Sequence, residues 1–147
     1  LFSGFVVMRD LLKSAAPDAW TTTFLVSSIA TSATGFGFPF TKFLPSHGVG
    51  VIALVVLTLA LIAAYGFGNR GAWRPVYAVS LVVAQFFNVF VAIAQAFAKV
   101  PELRALAPTQ SEPPFAIAEG VALLVFVALA IAAARLYRYQ PMTAKAA

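Results

Sequence analysis

The chain of 147 residues has no cysteine and one histidine, His47. The first absence excludes a disulfide framework, a thiolate metal site and cysteine nucleophile chemistry. The second excludes a bis-histidine haem built from this chain alone. Charge is also scarce: only 10% of residues are Asp, Glu, Lys or Arg, five of them acidic. No phosphate-binding loop, dinucleotide fingerprint or zincin motif is present. His47, with Ser46 beside it and Glu119 distant, does not imply a nucleophile, base and orienter. A lone histidine at a helix start reads as a capping or interface group, because a metal would need further ligands. These absences predict a protein that is not an enzyme, and they name no cofactor.

What is present is apolar length. Hydrophobic residues make up 61% of the chain and the mean hydropathy is +0.90, both outside the range of soluble domains. Four stretches, Ala19–Thr41, Phe43–Asn69, Pro75–Ala98 and Pro113–Ala134, contain a single charged residue between them, Glu119. A hydrocarbon core about 30 Å thick is crossed by roughly 20 apolar helical residues. The sequence therefore predicts one integral membrane domain, an all-α bundle of four full spans near residues 20–40, 48–67, 77–97 and 115–136. Ahead of them, Leu1–Met8 is too short to cross, at about 12 Å of helix. It reads as a partial or truncated N-terminal helix, because Arg9 and Lys13 follow it as charges follow a membrane exit.

The net charge of +5 does not point to nucleic acid, because the basic residues are dispersed among connections between apolar runs. Arg9, Lys13, Arg70, Arg74, Arg135, Arg138 and Lys145 fall on one side of the expected bundle, and Lys42, Lys99 and Arg104 on the other. That bias places the C-terminus in the cytoplasm. Trp20, Tyr65, Trp73, Tyr77, Tyr137 and Tyr139 cluster at the same side, at the level where amphipathic rings reside. Phe36, Phe38, Phe40, Phe43, Phe97 and Phe115 mark the opposite side. Phenylalanine lacks a polar handle, so that end suits either a protein cover or plain lipid exposure.

Punctuation separates the spans. Pro39 and Pro45 bracket the first connection, with Ser46 placed to cap the second span. Gly68, Gly71 and Pro75 break the chain before the third. Pro101 is placed to open a short helical turn, and Ser111 to cap the last span ahead of Pro113 and Pro114.

Glu119 lies about 6 Å inside the last span. An ionisable group at such depth is costly and calls for a partner, for which Gln95, Thr34, His47, Lys99 and Arg104 are the candidates. It reads either as a proton-binding or ligand-orienting carboxylate or as an interfacial packing group. Gln85, Asn88 and Gln95 recur at spacings of three and seven, which gives the third span an amide stripe. Thr58, Ser28 and Thr31 could meet it from neighbouring helices. Ser27, Thr31 and Gly35 supply the small-residue spacing that permits close helix approach.

Three strings, Thr34-Gly35-Phe36-Gly37-Phe38-Pro39-Phe40, Leu44-Pro45-Ser46-His47-Gly48-Val49-Gly50 and Ala107-Pro108-Thr109-Gln110-Ser111-Glu112-Pro113-Pro114-Phe115, together with Asn88-Val89-Phe90-Val91, carry a resemblance. Over roughly Trp20–Leu136 the chain resembles a group of small multi-pass inner-membrane proteins of proteobacteria that has no assigned activity. The resemblance implies the bacterial inner membrane and a further helix upstream, and it transfers no catalytic residue. The expected function is an accessory or structural subunit of a larger inner-membrane complex, in contact with lipid and with other subunits or copies of itself. The alternatives are a small proton-coupled carrier using Glu119 and a quinone- or lipid-binding redox accessory.

Overall fold

The computed structural model describes residues 1–13, 15, 17–35, 45–68 and 70–137, and for 32–35 and 45–50 the backbone alone. Among these residues every regular element is helical. In chain order they are α1 (Phe2–Leu12), α2 (Ala19–Gly35), α3 (Pro45–Leu61), a π-helix (Ile62–Gly66) continuing α3, α4 (Trp73–Lys99), α5 (Pro101–Leu106) and α6 (Pro113–Leu136).

Two helices, α4 with 27 residues and α6 with 24, are long and apolar enough to cross a membrane. The four full spans expected from composition are thus reduced to two among the described residues. α2 and α3 have 17 residues each, about 26 Å of helix, and residues 36–44 between them lie outside the described set. An apolar run counts residues without regard to backbone, whereas a helix ends where its hydrogen bonding changes. In α3 that change is the π-helix, closed by the Phe67 N–H donating to Ile62 O at 3.1 Å.

Helix boundaries follow proline more closely than the sequence reading allowed. Pro75 is not a break but part of the first turn of α4, which begins at Trp73; a helix's first amides lack partners anyway, so proline fits there. α3 begins at Pro45, which puts Ser46 inside the helix rather than at its cap. At α6 the N-cap is Glu112, not Ser111, and Pro113 and Pro114 occupy the first turn. Pro101 does open α5, as expected.

The bundle is organised around α4. α6 runs antiparallel to it, in a register fixed by three ring pairs: Phe97–Phe115 at 5.4 Å, Phe86–Phe126 at 5.8 Å and Tyr77–Tyr137 at 5.6 Å. α3 returns to α4 through a turn whose Gly68 and Gly71 have φ of +57° and +52°, values that glycine adopts without strain. The stacked rings of Phe67 and Trp73, 4.1 Å apart, close that turn. α1 is a short helix of 11 residues along the Tyr77 half of α4, with Val7, Met8 and Leu11 buried. The core is completed by Phe24, Leu57, Leu81 and Val82.

Candidate functional site

The amides of α4 do not form one stripe. Gln85 is fully buried, and its Nε2 donates to the Leu1 carbonyl at 3.2 Å. Its Oε1 is buried without a hydrogen-bond partner. Gly4 of α1 presses against it so closely that any β-carbon there would collide with the amide. Asn88 reaches a different neighbour: its Nδ2 donates to Ser28 Oγ on α2 at 3.0 Å. Gln95 is exposed. A three-residue step turns a helix by about 60° short of a full revolution, enough to send Gln85 to α1 and Asn88 to α2.

Ser28 was one of the partners expected from the sequence; Thr58 and Thr31 also bond within their own helices. Their hydroxyls donate to carbonyls four residues back in their own helices, Thr58 to Leu54 and Thr31 to Ser27, both at 2.8 Å. Such back-bonding gives a hydroxyl inside an apolar helix an acceptor in its own backbone.

Among the described residues, Glu119 belongs to the strip of α6 turned toward protein. Phe126 and Ala133, the buried residues of that helix, follow it at intervals of seven, two helical turns each. Both carboxyl oxygens are buried without a hydrogen-bond partner. Gln95, Lys99 and Arg104, proposed as partners from the sequence, are exposed and make no bond to it. The side chains of Thr34 and His47 lie outside the described residues; the backbone places His47 in the first turn of α3. The ring pair Phe97–Phe115 stands one turn nearer the end of α6.

Beyond that pair, the connection to α5 is polar and ordered by its own side chains. Gln110, at φ +57°, donates through Nε2 to the Ala94 carbonyl at 2.8 Å. Glu112 accepts from the Thr109 N–H at 3.2 Å, the Thr109 hydroxyl at 2.9 Å and the Ser111 N–H at 3.1 Å. Desolvation is the largest single influence and opposes ionisation, but these bonds and one from its own N–H together outweigh it and hold the Glu112 carboxyl below the usual glutamate range.

The opposite end holds what the sequence reading missed. Asp18 caps α2: its Oδ1 accepts the N–H groups of Trp20 at 3.0 Å and Thr21 at 3.1 Å, the arrangement expected of an N-cap aspartate. The spacing Asp18-Ala19-Trp20-Thr21 before an apolar run was the available signal. Among the described residues, no group of three or more His, Cys, Asp or Glu side chains could hold a metal ion. Comparison with protein-family models, with curated proteins and with solved structures finds no match, so the chemistry of these residues has to speak for itself.

Proposed function

We propose that this chain is an integral protein of the bacterial inner membrane, crossing it with α4 and α6 and with the C-terminus in the cytoplasm, and that it serves as a non-catalytic subunit of a larger membrane complex. The observation that carries the reading is the surface of α6. Ile117, Leu124 and Ile131, on the side away from Glu119 and Phe126, are 64%, 71% and 50% exposed. Val121, Leu123, Val125 and Val127 are exposed as well. So much contiguous apolar surface requires lipid or a protein partner. The Phe97–Phe115 pair and the proline-braced connection offer a stiff surface for that partner at the far end. Purification in a mild detergent followed by mass spectrometry tests the reading: stoichiometric partners are expected, and a monomer that repeatedly emerges alone would overturn it.

One observation favours a second reading. A buried carboxylate without a hydrogen-bond donor is the group that a proton-coupled carrier requires. Flux into proteoliposomes, wild type against Glu119→Gln, separates the two: a carrier loses its flux in the variant, and a packing subunit shows none above empty vesicles in either form.

A further inference from the structure

At the end of the bundle away from Glu119, the start of α2, the π-helix and the first turns of α4 enclose an open cavity of about 520 Å³. Its lining is chemically divided. Leu25 and Ala64 provide an apolar wall, while Asp18, Thr21, Tyr65 and Tyr77 provide the polar part. Tyr77 is 1% exposed and Tyr65 is 75% exposed, so one tyrosine belongs to the protein interior and the other to the surface. The Tyr77 hydroxyl is engaged by the Thr21 side chain, which leaves its ring as wall.

Asp18 has capacity to spare. Its Oδ1 takes the capping bonds of α2, whereas Oδ2 has no partner among the described residues. A carboxylate and an exposed tyrosine ring in one lining, with no cationic residue there among the described residues, are the composition that recognises an organic ammonium. A cation does stand close by. Arg70, exposed, packs beside Gly68, its Nε 3.9 Å from where a β-carbon of that glycine would be. Gly68 itself lines the cavity. Guanidinium groups favour phosphate. The π-helix supplies the room: its wider turn, closed from Phe67 to Ile62, carries Ala64 and Tyr65, and π segments recur at functional sites for this reason.

We infer that this cavity binds a zwitterionic phospholipid headgroup, its ammonium against Asp18 and Tyr65, its phosphate against Arg70, and the start of its acyl chains along Leu25 and Ala64. The inference rests on the membrane reading above. Trp20, Tyr65 and Trp73 put the cavity at the level where headgroups lie.

The full chain in nonionic detergent is exposed to mixed vesicles of phosphatidylethanolamine and phosphatidylglycerol, re-purified, and its retained lipid quantified by mass spectrometry. Ethanolamine lipid should be retained preferentially. Asp18→Ser keeps a helix cap but removes the charge, and Tyr65→Ala alters an exposed ring. Each should lower that retention about fivefold, the scale of one ammonium contact, with helicity unchanged. Equal retention of the two lipids, or no response to Asp18→Ser, overturns the site. Displacement of the lipid by an equal concentration of soluble phosphoethanolamine overturns the lipid as its ligand in favour of the free zwitterion. A chain that fails to partition into membranes defeats the membrane reading itself, whereas a membrane-embedded chain without lipid preference defeats only this site.

Discussion

The two long helices, α4 and α6, match in length and apolar character but occupy opposite positions in the molecule. α4 is surrounded: Tyr77, Leu81, Val82, Gln85 and Phe97 are buried along it, and α1, α3, α5 and α6 all pack against it. α6 buries only Phe126 and Ala133. Apolar length therefore specifies that a helix can cross a membrane and says little about what surrounds it. Polar residues discriminate better. α4 tolerates Gln85 and Asn88 because neighbouring helices supply the Leu1 carbonyl and the Ser28 hydroxyl. α6 carries one polar side chain along its length before Arg135, and it lies on the strip that faces protein.

The contrast is broken most directly by truncating one leucine on each helix. Leu81→Ala removes a side chain that is fully buried, and should destabilise the bundle by about 2–4 kcal/mol through lost packing and the cavity left behind. Leu124→Ala, at 71% exposure, should change stability by less than about 0.5 kcal/mol. Unfolding followed by circular dichroism in mixed micelles measures both. Comparable losses would mean that α6 is packed in solution as deeply as α4.

Gly4→Ala sharpens the same contrast at the centre of α4. The new methyl group must displace the Gln85 amide, which then loses its bond to Leu1 while remaining buried. A loss of about 1–3 kcal/mol is expected, the scale of an unsatisfied buried polar group. Gln85→Leu in the same background should recover part of it, because an apolar side chain leaves no donor unpaired. Thermal unfolding of the two variants checks the order.

Smaller still is the pair Asn88 and Ser28. A double-mutant cycle with Asn88→Ala and Ser28→Ala should return a coupling of about 0.6 kcal/mol, the usual worth of an interhelical hydrogen bond in membrane proteins. A coupling near zero would mean that the side chains are neighbours without mutual support.

Much of this arrangement was legible in the sequence, and the parts that were not have identifiable causes. Charge-poor runs located every long helix because burial and lipid both exclude charge. They overstated the α-helical length of α3 because a π-helix has no apolar signature: Ile62-Ala63-Ala64-Tyr65-Gly66 reads like any helical turn. Spacing found Asn88 and its neighbour Ser28, yet grouped Gln95 with them, since periodicity gives the angle of a residue around its helix but not whether a neighbour reaches that height. Glu119 stood out as a lone charge. That its oxygens are buried without a donor depended on α4 and α6 being antiparallel in one register, which no local pattern encodes. Asp18 was overlooked because an aspartate in a basic connection reads as solvated charge.

The smallest effect belongs to the connection that joins these two helices. Glu112 is half-buried, and its carboxylate gathers Thr109 and Ser111 into one turn before α6. Its carboxyl is held below the usual glutamate range in the folded chain. A depressed carboxyl contributes its support above the unfolded value and loses it as pH falls through the folded one. Acidification from neutral pH should therefore leave the turn unchanged until the pH drops below the ordinary glutamate value, after which the Thr109 and Ser111 amides should lose protection from hydrogen exchange. Thr109→Ala removes the hydroxyl donor and should move that transition upward in pH, with no effect on the ring pairs between α4 and α6. Nuclear magnetic resonance of the Glu112 carboxyl and the two amides reads all three quantities in one titration. A transition at the same pH in both proteins would mean that the backbone donors alone hold the carboxylate.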